Sequence, residues 1–327
     1  MSPDLATWAI ALLLKSSLLL AAAAVTARCL LRTASQRRLL WALAFASVLA
    51  LPAGELLLPQ LYVPLASVQH QWFSSTVVVG PLELPVAGWV LVLWMIGALW
   101  ALVRVANDWR AARAVLARSQ TIERNTLPTS ARAVLGGDAG TAIRVAWTEE
   151  LVSAAAIGWR EPTILLPRAA MVWSADMLRA ALVHEVEHIR QRDWLLMLVE
   201  RLAVALFWPN PLVWAARHAA VTAREIAADD AVLRADVSPT RYARQLLDLS
   251  QAARAGTTVG LVVGLGGSSM VPRVRALFSS ARHHDAATQR VRRIMVATTV
   301  LVSLPVVALQ PMRCIPTNSP SFSLHLS

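Results

Sequence analysis

The chain has 327 residues, 56% of them hydrophobic and 16% charged, with a mean hydropathy of +0.52; that balance excludes an ordinary soluble enzyme and points to a multi-span membrane protein. The net charge of +11 is almost wholly arginine, Lys15 being the only lysine. The arginines stand beside apolar runs and no recognition motif accompanies them, so direct nucleic-acid binding is not expected. Two cysteines, Cys29 and Cys314, are too few for a zinc cluster or a disulfide framework.

In chain order, a first membrane span is expected over about 5–27, broken only by Lys15, Ser16 and Ser17. Asp4 stands where a signal peptide would begin with basic residues. For Lys15, snorkelling or a partner on another helix outweighs a functional role. Arg28, Arg32, Arg37 and Arg38 follow, which makes the next loop cytoplasmic. A second span covers about 39–58. The loop Pro59–Pro85 has neither Lys nor Arg and belongs outside. A third span, about 86–103, returns to Arg104, Arg110, Arg113, Arg118 and Arg124. This topology puts Cys29 and Cys314 on opposite faces of the membrane.

Residues 105–293 then form a cytoplasmic domain. Thr126–Gly140, with its Pro and Gly, reads as a linker or loop. Strands are expected at Ile143–Thr148, Ala154–Ile157 and Pro162–Leu166, the last two joined by a turn at Gly158-Trp159-Arg160. The free edge of such a sheet suits an extended peptide; a sheet that only shields the helix is an equal reading. A helix capped by Ser174 follows. Trp194–Trp208, at 15 residues, is too short to span; it can pack in the core or lie against the inner leaflet, and the second is favoured. Pro209-Asn210-Pro211 ends it, Asn210 and Pro211 opening a helix to about Ala235. Gly264–Ser269 lacks the Gly-Lys-Ser/Thr ending of a phosphate loop and reads as flexible. A fourth span is expected at about 294–310, and 311–327 as a short outer tail.

The chemistry concentrates in Val183–Trp194, VHEVEHIRQRDW. His184-Glu185-Val186-Glu187-His188 is a His-Glu-x-x-His on a helix. At i,i+4 both imidazoles share one face and can ligate one ion, with Glu185 placed to act on a water without being a ligand itself. Two neutral nitrogens, an open position and a carboxylate are what zinc hydrolysis requires. A buried helix does not accept two histidines and two glutamates in one turn unless something pairs with them. A third protein ligand is needed, and Glu200, His218, Glu225, Asp229 and Asp230 are the candidates. Asp229 lies at i+4 from Glu225, so one can bind the metal while the other orients a histidine.

Three stretches together resemble the BlaR/MecR family of membrane zinc metallopeptidases, the transducers of bacterial beta-lactam sensing. They are HEVEHIRQRDW, Trp208-Pro209-Asn210-Pro211-Leu212-Val213-Trp214 and Arg224-Glu225-Ile226-Ala227-Ala228-Asp229. The similarity extends over the three leading spans, Ile143–Pro167 and Arg273-Val274-Arg275-Ala276-Leu277. It implies a mainly α fold: a multi-pass protein with four membrane helices and a cytoplasmic α+β zincin-like (gluzincin) domain carrying a small sheet. It implies Zn²⁺ on His184, His188 and Glu225, with Glu185 catalytic. It implies a protein or peptide substrate of the cytoplasmic-repressor kind and an active site facing the cytoplasm from the bacterial inner membrane. Sensors of that family carry a penicillin-binding domain after the last span. Here the expectation is that any stimulus comes through Pro59–Pro85, the tail or a partner.

Rod lengths add one expectation. Were Val183–Trp208 a single straight helix, His188 would stand about 30 Å from the turn and Glu225 only about 21 Å back along the next helix. The helix must therefore break near Asp193–Leu195, which makes Asp193 a cap or a support for the site. His218 and Tyr242 are set aside as structural. Two other readings compete: a housekeeping membrane protease that clears damaged proteins or trims prenylated tails, and a non-catalytic membrane scaffold.

Overall fold

The computed structural model describes residues 5–57, 61–64, 76–79, 82–136, 143–255, 270–279 and 289–312. The Gly264–Ser269 loop, Cys314 and all but the first residues of the tail lie outside them. Three helices are long and apolar enough to cross a membrane: α1 (Leu5–Cys29), α2 (Ala34–Leu57) and α3 (Val86–Arg118). Helix α2 starts five residues before its expected span because Thr33 and Gln36 form a capping box. The Gln36 N–H donates to Thr33 Oγ1 at 3.2 Å, and the Thr33 N–H donates to Gln36 Oε1 at 3.3 Å. Arg37 and Arg38 are thus helical. Helix α3 likewise continues well past Val103, so Arg104, Arg110, Arg113 and Arg118 belong to the same rod. Lys15 meets Glu55 of α2 at 2.6 Å, both buried, which is the interhelical partner the sequence favoured.

In the loop between α2 and α3, β1 (Leu61–Pro64) stands apart from the hairpin of β2 (Thr76–Val79) and β3 (Leu82–Pro85). After α3, β4 (Gln120–Thr121) opens a four-stranded sheet completed by β5 (Arg144–Thr148), β6 (Ala155–Ile157) and β7 (Thr163–Pro167). The strand order is β4-β5-β7-β6, with β5 and β7 parallel and the outer pairs antiparallel. Gly158, at φ +94, turns the chain out of β6; a Cβ there would sit 2.7 Å from the Glu161 carbonyl oxygen. Thr126–Gly140 is not simply a loop. It contains α4 (Thr129–Leu135), whose Ala131 and Leu135 enter the core between sheet and α5.

Helices α5 (Ala175–Arg190), α6 (Asp193–Leu206), α7 (Pro211–Arg234), α8 (Pro239–Ala255) and α9 (Met270–Leu277) build the rest of the domain. Ser174 caps α5 by accepting from the Met177 N–H, and Asn210 caps α7 by accepting from the Leu212 N–H. Helix α10 (Gln289–Ala308) packs along α2 and α1. The strand after it, β8 (Leu309–Met312), pairs in parallel with β1, Leu309 against Leu61.

Trp194–Trp208 departs from its expected place. Instead of lying on the leaflet, α6 and α7 form a hairpin driven into the bundle. Ala203, Val204, Phe207, Val213, Ala216 and Ala220 share one core with Leu20, Trp41, Phe45 and Val48 of α1 and α2. The hairpin tip stands about 15 Å along α3 from Arg104, the middle of a bilayer. Backbone polar groups at that depth need partners inside the protein. Trp94 Nε1 donates to the Leu206 carbonyl, Trp208 Nε1 to that of Trp94 and Trp214 Nε1 to that of Trp208. Asn210 Nδ2 donates to Ser16 Oγ and Ser17 Oγ of α1 at 3.0 and 3.1 Å.

Candidate metal centre

Helix α5 carries His184 and His188 on one face, their Nε2 atoms 3.1 Å apart. The helix ends at Arg190, and Arg192 takes the left-handed conformation (φ 53) before α6 begins at Asp193. The break lies at Gln191-Arg192, just ahead of the expected Asp193–Leu195. It turns α6 away and folds Asp193 back beneath His188, where its Oδ2 accepts from Nδ1 at 2.6 Å.

Helix α7 returns from the hairpin tip and presents Glu225 and Asp229 one turn apart. Glu225 Oε2 is 3.6 Å from His184 Nε2 and Oε1 is 3.8 Å from His188 Nε2. One atom from each of the three residues falls within 4.8 Å of the others. A tetrahedral zinc site with arms of about 2.1 Å has ligand-to-ligand edges of about 3.4 Å; the two Nε2 atoms are near that spacing, and each has a different Glu225 oxygen within 3.8 Å. The donor set, two imidazoles and a carboxylate, also suits zinc and leaves a fourth position.

Each histidine is held from behind by a carboxylate, and each carboxylate by an arginine. His188 rests on Asp193, which accepts from Arg38 Nε of α2 at 2.6 Å. Arg38 also donates to the Gln191 side chain and to its backbone carbonyl. His184 Nδ1 lies 3.2 Å from Asp229 Oδ1, and Asp229 is gripped by Arg273 of α9 through Nε at 2.8 Å and Nη2 at 2.6 Å. Arg273 reaches Glu225 Oε2 as well, at 3.1 Å. Tyr242 OH donates to Asp229 at 2.8 Å and lies 3.2 Å from His184 Nδ1. Carboxylates at both Nδ1 positions hold a proton there, so each Nε2, once its ring is neutral, turns its lone pair to the shared centre.

These contacts set the charges. Burial disfavours an imidazolium at His184, but Asp229 and Glu225 outweigh it and raise its pKa to about 10. Burial works against ionised Glu225, yet Arg273 and the histidines bring it down to about 2. Asp229 and Asp193 are held low in the same way, by Arg273 and by His188 with Arg38. Tyr242 is pushed up by burial and by Asp229.

The other sequence candidates lie elsewhere. Glu200 pairs with Arg224 at 2.8 Å, both buried. His218 is exposed and lines a different cavity. Asp230 is buried outside the convergent group. Glu187 accepts from Gln191 Nε2 at 2.7 Å and faces Arg190 and Arg234, on the structural side of α5. Glu185 is buried next to His184 and enters no ion pair among the described residues. Sequence reasoning used Arg38 only as one of the charges of a cytoplasmic loop and gave it no part in the site, 155 residues away at Asp193. It met Arg273 only as part of a resembling stretch, and it set aside Tyr242, whose hydroxyl braces this site.

A family model described as BlaR1 peptidase M56 matches residues 14–277. The chain belongs to that family. The match takes in α2, the sheet, both site helices and Arg273. A similar curated protein is the Regulatory protein BlaR1 of Bacillus licheniformis, 38% identical over 73 residues. That stretch is 22% of this chain and 12% of the relative's length. Membership places the chain among proteins of the BlaR1 peptidase family, and the His184, His188 and Glu225 cluster is its candidate metal centre.

Proposed function

We propose that the protein is a zinc metalloendopeptidase that cuts a peptide bond of a cytoplasmic protein, in signal transduction by repressor cleavage. The observation that carries this reading is the convergence of His184, His188 and Glu225 from two helices, with Glu185 buried and next to His184 in the sequence. These three residues hold the ion, which when bound lowers the pKa of a water and polarises a carbonyl. The Glu185 carboxylate takes the proton from the attacking water and returns it to the leaving amine nitrogen. Asp193 and Asp229 fix the two imidazole rings through Nδ1. An extended substrate pairs with the free edge of β6, which packs beside α5.

The same reading places the protein in the bacterial inner membrane with four spans, α10 being the fourth, and residues 105–293 as the peptidase domain. Pairing of β8 with β1 supports it, because the ends of α2 and α10 then share a face. The arginines at the start of α2 and the end of α3 put the metal centre on the cytoplasmic side. A gluzincin-like arrangement fits the small sheet packed on the His-Glu-x-x-His helix.

Glu185→Gln tests the core of the proposal. The variant should keep one zinc per chain by elemental analysis while new N-termini that depend on wild-type protein vanish from the cytoplasmic proteome. Cleavage that persists in this variant removes Glu185 as the base.

A further inference from the structure

A cavity of about 460 Å³ opens between α3, α6 and α7. Each helix gives it a single face. Helix α3 contributes Trp100, Arg104 and Asp108 at i, i+4 and i+8; α7 contributes Trp214, Arg217 and Arg224. Its buried floor is the ion pair Glu200–Arg224. Arg201 of α6 pairs with Asp108 at 3.0 Å. The exposed mouth carries Trp100 and Trp214, with Arg104 stacked on the Trp100 ring at 5.0 Å.

Charge and depth together define what fits. The lining holds four arginines against two carboxylates, and both carboxylates are already paired. Arg217 and Arg104 make no ion pair at contact distance among the described residues, and Glu200 and Asp108 act on Arg217 only from farther off. Arg217 is half-buried and lies about 9 Å below the hairpin tip, inside the apolar slab, where a cation requires a counterion. Arg104 marks the level at which α3 leaves that slab, and tryptophans at the rim are the usual furniture of a headgroup boundary. A mobile anion from water would have to enter past the exposed apolar flank of α3, whereas a lipid headgroup already stands there.

We propose that this cavity binds the phosphodiester headgroup of an anionic phospholipid, with Arg217 and Arg104 as its charged contacts and Trp100 and Trp214 against the glycerol and acyl region. Full-length protein in neutral detergent, titrated with dioleoyl-phosphatidylglycerol or dioleoyl-phosphatidylcholine, tests it, with bound lipid counted by native mass spectrometry. Phosphatidylglycerol should add saturably and raise the thermal midpoint, and phosphatidylcholine should do neither. Arg104→Gln/Arg217→Gln should weaken phosphatidylglycerol binding about thirtyfold. Arg217→Lys should stay within a few-fold of wild type, and Arg110→Gln, on α3 outside the cavity, should be unchanged. Equal retention of both lipids by wild type, or full binding by the double variant, overturns the proposal. So does displacement of phosphatidylglycerol by inorganic phosphate, which would make this a free-anion site. Should the double variant lose its metal and fail to fold, Arg104→Gln alone decides: a loss of about fivefold supports the site, and unchanged binding sinks it.

Discussion

Zinc and a proton compete for the same nitrogen at His184. In the metal-free protein Asp229 and Glu225 hold this imidazole protonated up to about pH 10. Its folded pKa is raised above the ordinary 6.5. The stabilisation it gives the metal-free fold is therefore complete below that value and lost as pH climbs through about 10. Glu225 is the opposite case: with its pKa down at about 2, it stabilises above its unfolded value and fails as pH falls through about 2. Ligands must be deprotonated to bind metal. Apparent zinc affinity should then rise about tenfold per pH unit from about pH 7 to about pH 9. Chelator competition at fixed zinc reads it, and calorimetry in two buffers should find close to one proton released. A plateau above about pH 7 would show that His184 titrates as an ordinary histidine.

At the scale of elements, the joint between α5 and α6 matters most, because a membrane helix reaches into it. Arg38 of α2 fixes Asp193 and both the backbone and side chain of Gln191. Asp193 in turn fixes His188. Asp193→Asn should cost about ten- to a hundredfold in zinc affinity, and Arg38→Gln a comparable amount through Asp193. The double variant should lose little beyond the worse single one, since both act along one chain of contacts. Simple multiplication of the two losses would show that Arg38 serves stability alone. At the joint itself, Arg192 sits at φ 53, a conformation that a β-branched residue tolerates poorly. Arg192→Val should destabilise by about 1–2 kcal/mol and lower the thermal midpoint, while Arg192→Gly should not.

Much of this was legible because it is local. The His184/His188 spacing, the Ser174 and Asn210 caps and the strands at β5, β6 and β7 all follow from neighbours within a turn or two. Glu225 was one of five open candidates until the family resemblance singled it out, and the helix break then followed from the lengths of two rods. Arg38 could not be found so, for its partner lies 155 residues away and nothing in its own surroundings differs from Arg37. Helix α4 was hidden by the Pro and Gly residues around a segment of seven. Helix α6 was misplaced for a different reason. A test of spanning length considers one crossing at a time, and a hairpin that enters and leaves by the same face fails it. Ser16, Ser17, Trp94 and Asn210 make that hairpin possible, and each reads alone as an ordinary interruption of an apolar run.

For the whole molecule, the hairpin ties chemistry to the bilayer. Asp193 and Glu225 lie toward the other ends of the α6 and α7 rods, whose tip is packed against α1 and α2, so the proposed topology puts the metal centre just beyond the membrane boundary. Which boundary is set by the arginines, and one native side chain can report it. Cys29 is exposed as the last residue of α1, between Arg28 of that helix and Arg32 of the loop that follows. With Cys314→Ser in place, a membrane-impermeant maleimide should leave Cys29 unlabelled in osmotically intact spheroplasts and label it once they are permeabilised. Labelling of intact spheroplasts would turn the topology over and put the metal centre on the outer face. Cytoplasmic proteins could not then be its substrates, although the geometry around His184, His188 and Glu225 would be unchanged.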